Sequence, residues 1–488
     1  MTGALHIVGL GPGGADHRTA AAAAAVAGAE VVVGYGPYVD QCADLLRPEQ
    51  EVVRGRMGEE EARADEALAR AAAGARVALV SSGDAGVYGM AARTLAAAAA
   101  LEEDTRPTVE VVPGVTAALA AAALLGAPLA DDWASLSLSD LRVPWERVER
   151  RVEAVAAAGL ALALYNPRSR GRVEQFDRVV AILRRRRDDA TAVGLVTDAG
   201  REGERVERTT LAELDAERVT MRTVVVVAGE GAAEEGPWLV AERGRETTDL
   251  PRSAAPPALL TVAARDALAR ADVVVYDRPT AAPLVALAPP AAERRCVGLA
   301  PGRPALTQEE VNDLLVELGM TGREVVRLKS GDPFVASRGG EEARALRDAG
   351  VPIRFVPGVS SALGAPAAAG IPLMVRQLSV TCTVVDGNDD PDHGSPPDWE
   401  AIARVGGTVV VLTGRGRIRR IAARLAAGGL PGDTPVAAIS AGTRPEQRVL
   451  RGTLAALPAP LPPPVTFVVG AVAALDLTAD RELLDAHS

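Results

Sequence analysis

The chain is 488 residues long, 48% hydrophobic and 24% charged, with a net charge of −11. This length exceeds a single core and predicts roughly two to four domains, while the acidic balance excludes the non-specific nucleic-acid binding that a basic face provides. Cys42, Cys296 and Cys382 stand alone and the four histidines are scattered, so neither a disulfide framework nor a metal site is supported.

Short Val-rich runs over 4–9, 30–33, 76–80 and 109–112 predict strands, and Ala-rich stretches over 19–28, 59–73, 88–99 and 115–125 predict helices between them. That alternation is the signature of a parallel, helix-covered sheet. After "GAPLADDW" the rhythm changes. Runs at 134–138, 160–165, 191–197, 205–210 and 222–228 include "RVERTTLAEL", which leaves no room for a helix, so a mixed sheet is expected there. The arginine run Arg184–Arg187 ends an amphipathic helix and reads as a solvated face. From Glu230 to Pro257 the pattern fades into Glu, Gly, Pro and Arg. The expected division is a unit at 1–242 (subdomains about 1–130 and 131–242), a linker at 243–257, a second unit at 258–476 and a tail at 477–488. With no basic leader and no run of ~20 apolar residues, a cytoplasmic chain without a membrane span is expected.

The two units echo each other. "RVALVSSGDAGVYG" returns as "REVVRLKSGDPFVASRGG", and "VEVVPGVTAALAAAALLGAPL" returns as "IRFVPGVSSALGAPAAAGIPL". Asp84 and Asp332 are 332 − 84 = 248 residues apart, and Pro113 and Pro357 are 357 − 113 = 244 apart. Two anchors at nearly one offset identify a duplicated unit. Each is expected to be two α/β subdomains with a small-molecule cleft between them.

"HIVGLGPGG" holds Gly9, Gly11 and Gly14 in a G-x-G-x-x-G pattern after a strand, the mark of dinucleotide binding. Two features oppose that reading. Pro12 removes a backbone N–H where phosphate should be held, and no acid ends the second strand to take a ribose. A tight turn bringing backbone against another ligand fits better.

Taken in order, "VGLGPGG", "VVVGYGPYVD", "GRMGEEEAR", "VALVSSGDAGVYGM", "LSLSDLRVPWE", "LYNPRSR" and "TDAGREGE" resemble the tetrapyrrole methylase family over residues 4–242, in its precorrin-3B C-17 methyltransferase branch. Residues 258–476 resemble the uroporphyrinogen-III C-methyltransferase branch through "ADVVVYDRP", "TQEEVNDLLVELG", "FVPGVSSALGAPAAAGIPL" and "VLTGRG". The second copy departs from the pattern: "DLPRSAAPPALLT" stands where a first strand and glycine loop belong, and Ser330, Ala368 and Thr413 replace usual residues.

The resemblance implies S-adenosylmethionine as cofactor, a carboxylate-rich precorrin as substrate, methylation coupled to ring contraction in cobalamin biosynthesis, and a homodimer. It implies cofactor contacts at Gly83, Asp84, Thr116, Ala117, Tyr165, Asn166, Ala199 and Gly200. Gly11, Pro12 and Gly13 of the loop, with Arg54, Arg168 and Arg170 as carboxylate grips, are the expected substrate residues, and Arg56 and Arg201 lie beside them. In the second unit Asp277, Gly331, Asp332, Ser360 and Ser361 hold the corresponding places. Without the resemblance, Asp84 reads first as a turn residue capping the next helix, and Thr116 as a plain helix cap. No metal, nucleic acid or membrane partner is expected. The acid–base group for contraction stays open among Asp16, His17, Tyr35 and Asp40. The second half is expected either to methylate uroporphyrinogen III to precorrin-2 or to serve as a non-catalytic dimerisation or binding module.

Overall fold

The computed structural model describes residues 3–102, 104–139, 143–169, 172–241, 257–298, 304–375, 378–388, 391 and 397–476. In the first unit, strands β1 (Ala4–Gly9), β2 (Val31–Tyr35), β3 (Glu51–Gly55), β4 (Arg76–Ser81) and β5 (Thr108–Val112) form a parallel sheet in the order β3-β2-β4-β1-β5. The central strands are continuous apolar runs because helices cover both faces. Leu5, Ile7, Val77 and Leu79 pack on one face, and Val8, Val32, Ala78 and Val80 on the other. The edge strand β3 is absent from the sequence expectation, since its residues are only half covered and alternate weakly.

Then come the short β6 (Gly126–Ala127), β7 (Trp133–Ser137), β8 (Ala161–Tyr165), β9 (Ala192–Thr197), β10 (Arg205–Thr210), β11 (Thr223–Val227), β12 (Ala232–Glu235) and β13 (Trp238–Ala241). Strands β7 and β8 are parallel and the pairings of β8 through β11 antiparallel, so the mixed sheet is as expected.

The second unit holds β14 (Val273–Tyr276), β15 (Glu293–Cys296), β16 (Val325–Leu328), β17 (Thr381–Asp386), β18 (Thr408–Leu412), β19 (Pro435–Ser440), β20 (Arg448–Thr453) and β21 (Val465–Val469). Its parallel sheet is only β15-β14-β16. Much of the expected deletion, "DLPRSAAPPALLT", lies outside the described residues, but among those described no strand pairs with the free edge of β16. Its four residues are half exposed, whereas four of the equivalent residues of β4 are fully covered. The segment 353–357 likewise forms no strand, although its counterpart is β5, because β5 is held by β1.

Strand β13 pairs with β12 and β6 inside the first unit, so it adds nothing to the second unit's parallel sheet. One expectation needs correction. The run Arg184–Arg187 is not uniformly solvated. Arg184 donates to the Leu211 carbonyl at 2.8 Å, and Arg187 turns inward onto the carbonyls of Val155, Leu160 and Ala228, where burial pulls its guanidinium pKa down to about 10.

The units are not separate bodies. The order β10-β9-β11-β8-β7-β17-β18-β21-β19-β20 is one ten-stranded sheet crossing from one to the other. The crossing is the antiparallel pair β7–β17, with Ser135 opposite Cys382 and Ala134 opposite Thr383.

Candidate active site

The carboxyl ends of parallel strands are where an open α/β sheet binds ligands. Three loops meet there in the first unit: the glycine loop after β1, "SSGD" after β4 and "PGVT" after β5. Gly11 and Gly83 exchange backbone hydrogen bonds of 3.0 and 2.7 Å, and both hold left-handed φ values, +78° and +71°, that favour glycine. Asp84 is buried and knots the other two loops, accepting from the Gly86 N–H at 2.8 Å and the Gly114 N–H at 3.0 Å. Among the described residues no cation neighbours it, and burial, against its backbone bonds, pushes its pKa up to about 6.

The second subdomain supplies the facing wall. β8 ends at Tyr165, whose hydroxyl lies 2.6 Å from Thr116 Oγ1 and accepts from the Ala118 N–H at 2.9 Å. Thr116 therefore does not cap its helix with its side chain; the tyrosine does. Asn166 follows at φ +50°, its amide donating to Ser137 Oγ at 3.0 Å and its carbonyl accepting from Arg172 at 2.7 Å. Gly83, Asp84, Thr116, Ala117 and Tyr165 thus converge on one cradle.

Ala199 and Gly200 sit partly apart, at the lip. The Gly14 N–H donates to the Gly200 carbonyl at 2.6 Å, and a Cβ on Gly13 would lie 2.1 Å from that oxygen, so only glycine fits. Arg201 closes the same lip by donating to the Pro12 carbonyl at 2.6 Å and to Ser82 Oγ at 2.7 Å. Gln41 donates to the carbonyls of Gly11 and Gly13 at 2.7 and 2.8 Å. His17 packs against Gly200, and its burial lowers the imidazole pKa despite Asp16 and Glu204.

The expected carboxylate grips fare differently. Arg54 pairs with Asp40 at 2.7 Å, and Arg168 pairs with Glu217 and the Ala216 carbonyl, so neither faces the cradle unpaired. Arg170 lies outside the described residues, and Arg56 is exposed. Gln41, Tyr88 and Arg172 were not foreseen. Of these only Tyr88 lay inside the repeated "SGD" stretch, a signal that could have found it.

In the second unit the knot recurs. Asp332 accepts from the N–H groups of Phe334 at 2.9 Å and Gly358 at 3.1 Å, is buried, and has its pKa pushed up to about 6. The opposite wall differs. β18 ends at Leu412, Ser360 spends its hydroxyl capping Ala362 N at 3.2 Å, and Ser361 faces solvent. Asp277 ion-pairs with Arg327, and Glu342 accepts from Arg327 and Lys329 at 2.9 Å each. Burial opposes ionising Asp277 and Glu342, but these cations hold both carboxyls below their usual range.

Comparison with known proteins decides what this duplicated frame is. The profile of the tetrapyrrole (corrin/porphyrin) methylases matches residues 4–215 and again 255–458. The chain belongs to the tetrapyrrole methylase family. A probable cobalt-factor III C(17)-methyltransferase of Salmonella typhimurium is 39% identical over 49% of this chain and 98% of its own length. A uroporphyrinogen III methyltransferase of Methanosarcina barkeri is 44% identical over 41% of this chain and 78% of its own. Siroheme synthase 1 of Yersinia pseudotuberculosis is 43% identical over 44% of this chain, which spans less than half (46%) of that relative's length. Among solved structures, the methyltransferase CobJ is 37% identical over 49% of this chain and all of its own, with a TM-score of 0.48.

The cradle's chemistry suits S-adenosylmethionine, the cofactor that the family resemblance implies. It combines a left-handed glycine at Gly83, where an added Cβ would meet nothing nearer than 3.9 Å, with a buried carboxylate that has no cationic partner among the described residues, an environment that favours a cationic sulfonium over an anionic phosphate. Among the described residues no His, Cys, Asp and Glu group could hold a metal, and no helix is long and apolar enough to cross a membrane.

Proposed function

We propose that the first unit methylates precorrin-3B at C-17 with contraction of the macrocycle, and that the second unit transfers little or no methyl. The observation carrying this reading is the asymmetry of the two cradles: Tyr165 bridges to Thr116 in the first, while Leu412 and a self-capping Ser360 occupy those places in the second. The likeness to the Salmonella C(17)-methyltransferase over nearly all of that relative supports the substrate class.

S-adenosylmethionine supplies an electrophilic methyl group on a sulfonium whose thioether leaves without needing a proton. The protein's task is therefore geometry and exclusion of water. Gly83, Thr116 and Ala117 offer backbone for close approach, Tyr165 fixes the spacing of the two subdomains, and the Gly13–Gly200 and Arg201–Pro12 contacts close one lip. Gly11, Pro12 and Gly13 stand where a macrocycle laid across the cleft meets backbone. A misalignment worth only ~4 kcal/mol in the transition state slows transfer about a thousandfold. That is the basis for reading the second unit as inactive. Its retained knot at Asp332 and its ion cluster favour the alternative, a bifunctional chain that also methylates uroporphyrinogen III.

The test is to incubate the full chain with labelled S-adenosylmethionine and, separately, precorrin-3B, cobalt-factor III and uroporphyrinogen III, and to analyse products by mass spectrometry. One methyl added to precorrin-3B with contraction is expected. Turnover of cobalt-factor III alone would move the substrate to its cobalt-bound form, and turnover of uroporphyrinogen III would establish the bifunctional reading.

A further inference from the structure

The face joining the two units carries information beyond the active site. β7 and β17 are equivalent strands of the repeat: each is followed by a parallel neighbour, Trp133 standing opposite Ala161 and Cys382 opposite Thr408. Their antiparallel pairing relates the units by a pseudo-twofold axis near the Ala134–Thr383 pair. A second contact repeats the symmetry at Thr19 and Thr261, each the N-cap of its helix, where the Val262 N–H donates to the Arg18 carbonyl at 3.0 Å and the Ala20 N–H to the Leu260 carbonyl at 3.3 Å. A third crosses β7 and β17, the Asp386 N–H donating to Asp132 at 2.8 Å.

One cross-unit contact runs directly into the candidate donor cradle. Tyr88 adopts φ +54° and donates its hydroxyl to the Val380 carbonyl of the second unit at 3.3 Å. Its ring lies 4.9 Å from that of Tyr165, which holds Thr116 and the Ala118 N–H. Beneath the Asp84 knot, a small cavity is lined by Gly86 and Ala91 on one side and by Leu363, Ala367 and Ile371 of the second unit on the other. The connection is one-way. The residue equivalent to Tyr88 is Ala336 (336 − 88 = 248), which keeps the left-handed φ of +49° and has no hydroxyl to reach across.

We propose that the second unit is an in-chain partner that completes the first unit's methyl-donor site, with Tyr88 as the positioning residue through which it acts, so that the enzyme works as a single copy. The inference rests on reading the Asp84–Thr116–Tyr165 cradle as the donor site. It replaces the homodimer implied by the family resemblance, because the free edge of β7 is already covered within the chain. Cutting the chain between the two units would strip β17 from β7 and expose an apolar edge.

The experiment uses the full chain. S-adenosylhomocysteine binding is measured by calorimetry, and the donor KM and kcat in methyl transfer, for wild type, Tyr88→Phe and Leu363→Ala; the mass in solution is measured alongside. Tyr88→Phe keeps the ring stack and removes the cross-unit bond to Val380, together with the hydroxyl's contact with Ser135 inside the first unit. It is expected to weaken donor binding and raise the donor KM about three- to tenfold, with kcat within about twofold and the melting temperature little changed. Leu363→Ala, though in the other unit, moves the same KM in the same direction, and the wild-type chain runs as one copy. Donor affinity unmoved in Tyr88→Phe, or a stable assembly of two chains, overturns the proposal; Tyr88→Phe alone decides if Leu363→Ala fails to fold. A wild-type chain that binds no S-adenosylhomocysteine overturns the donor-site reading itself, a result distinct from binding that the variants leave unchanged.

Discussion

The two units keep the same knot and differ in what stands opposite it. In each, one buried aspartate ties the loop after a strand to the loop before a helix, Asp84 through Gly86 and Gly114 and Asp332 through Phe334 and Gly358. Near Asp84 a tyrosine at the end of β8 reaches Thr116; the corresponding end of β18 carries Leu412, whose side chain has no polar group. The strand ends diverge as well. Arg327 and Lys329, paired with Asp277 and Glu342, occupy in the second unit the positions held by Leu79 and Ser81 in the first (327 − 79 = 248 and 329 − 81 = 248). The difference teaches that the aspartate is first a folding device. Two loop amides without an acceptor would each cost ~1–3 kcal/mol, so the residue is required with or without catalysis. The ligand-facing hydroxyls carry no such obligation.

The sharpest way to break the comparison is at the glycine loop, for which the second unit has no described counterpart. In Gly13→Ala the new methyl meets the Gly200 carbonyl and must spread the lip. Methyl transfer should fall about a hundredfold in kcat/KM with the fold retained by circular dichroism. Activity within about threefold of wild type would remove the lip from the mechanism. Next is Tyr165→Phe, which loses the bonds to Thr116 and Ala118 but keeps the ring. The donor KM should rise about tenfold, whereas Ser360→Ala in the second unit should leave it unchanged, both read from steady-state kinetics.

The raised pKa of Asp84 and Asp332 gives a smaller effect. Their folded values, about 6, exceed the ordinary carboxylate value, so the native chain binds more protons than the unfolded chain between about pH 4 and 6. Their contribution to stability therefore falls as pH rises through that window and is level above it. Donor binding runs the other way. Protonating Asp84 below about pH 6 should weaken cationic S-adenosylmethionine more than neutral S-adenosylhomocysteine, and equal pH profiles for the two in calorimetry would separate Asp84 from the sulfonium. The smallest effect is expected from Arg54→Ala. This exposed arginine is already engaged by Asp40, and the KM for the macrocycle should change less than about twofold. A tenfold rise would show that it leaves Asp40 to grip substrate.

Much of this was legible in the sequence for a physical reason. The duplicated unit, its parallel and mixed sheets and the loops at strand ends follow from local patterns, since buried strands must be apolar and tight turns must carry glycine. What was not legible depends on contacts between distant segments. Nothing in "VTCTVV" announces that it will pair with "ADDWAS" across about 250 positions. Arg187 reads as part of a charged run, yet it serves as a donor for three carbonyls at the end of a helix. Tyr88 lay inside the repeat that first marked the site, but its partner Val380 acts through a backbone carbonyl that no side-chain pattern encodes. Likewise "PWLVAE" has the composition of a free strand, and only the pairing of β13 with β6 shows where it belongs.

The most direct test of the division of labour compares Asp84→Ala with Asp332→Ala in the full chain, supplied with labelled S-adenosylmethionine and either precorrin-3B or uroporphyrinogen III. The account predicts that Asp84→Ala lowers transfer to precorrin-3B at least about a hundredfold, that Asp332→Ala keeps it within about tenfold, and that neither variant nor wild type labels uroporphyrinogen III appreciably. Labelling of uroporphyrinogen III by wild type at a rate matching precorrin-3B turnover, lost in Asp332→Ala and kept in Asp84→Ala, would contradict it and make both units catalytic.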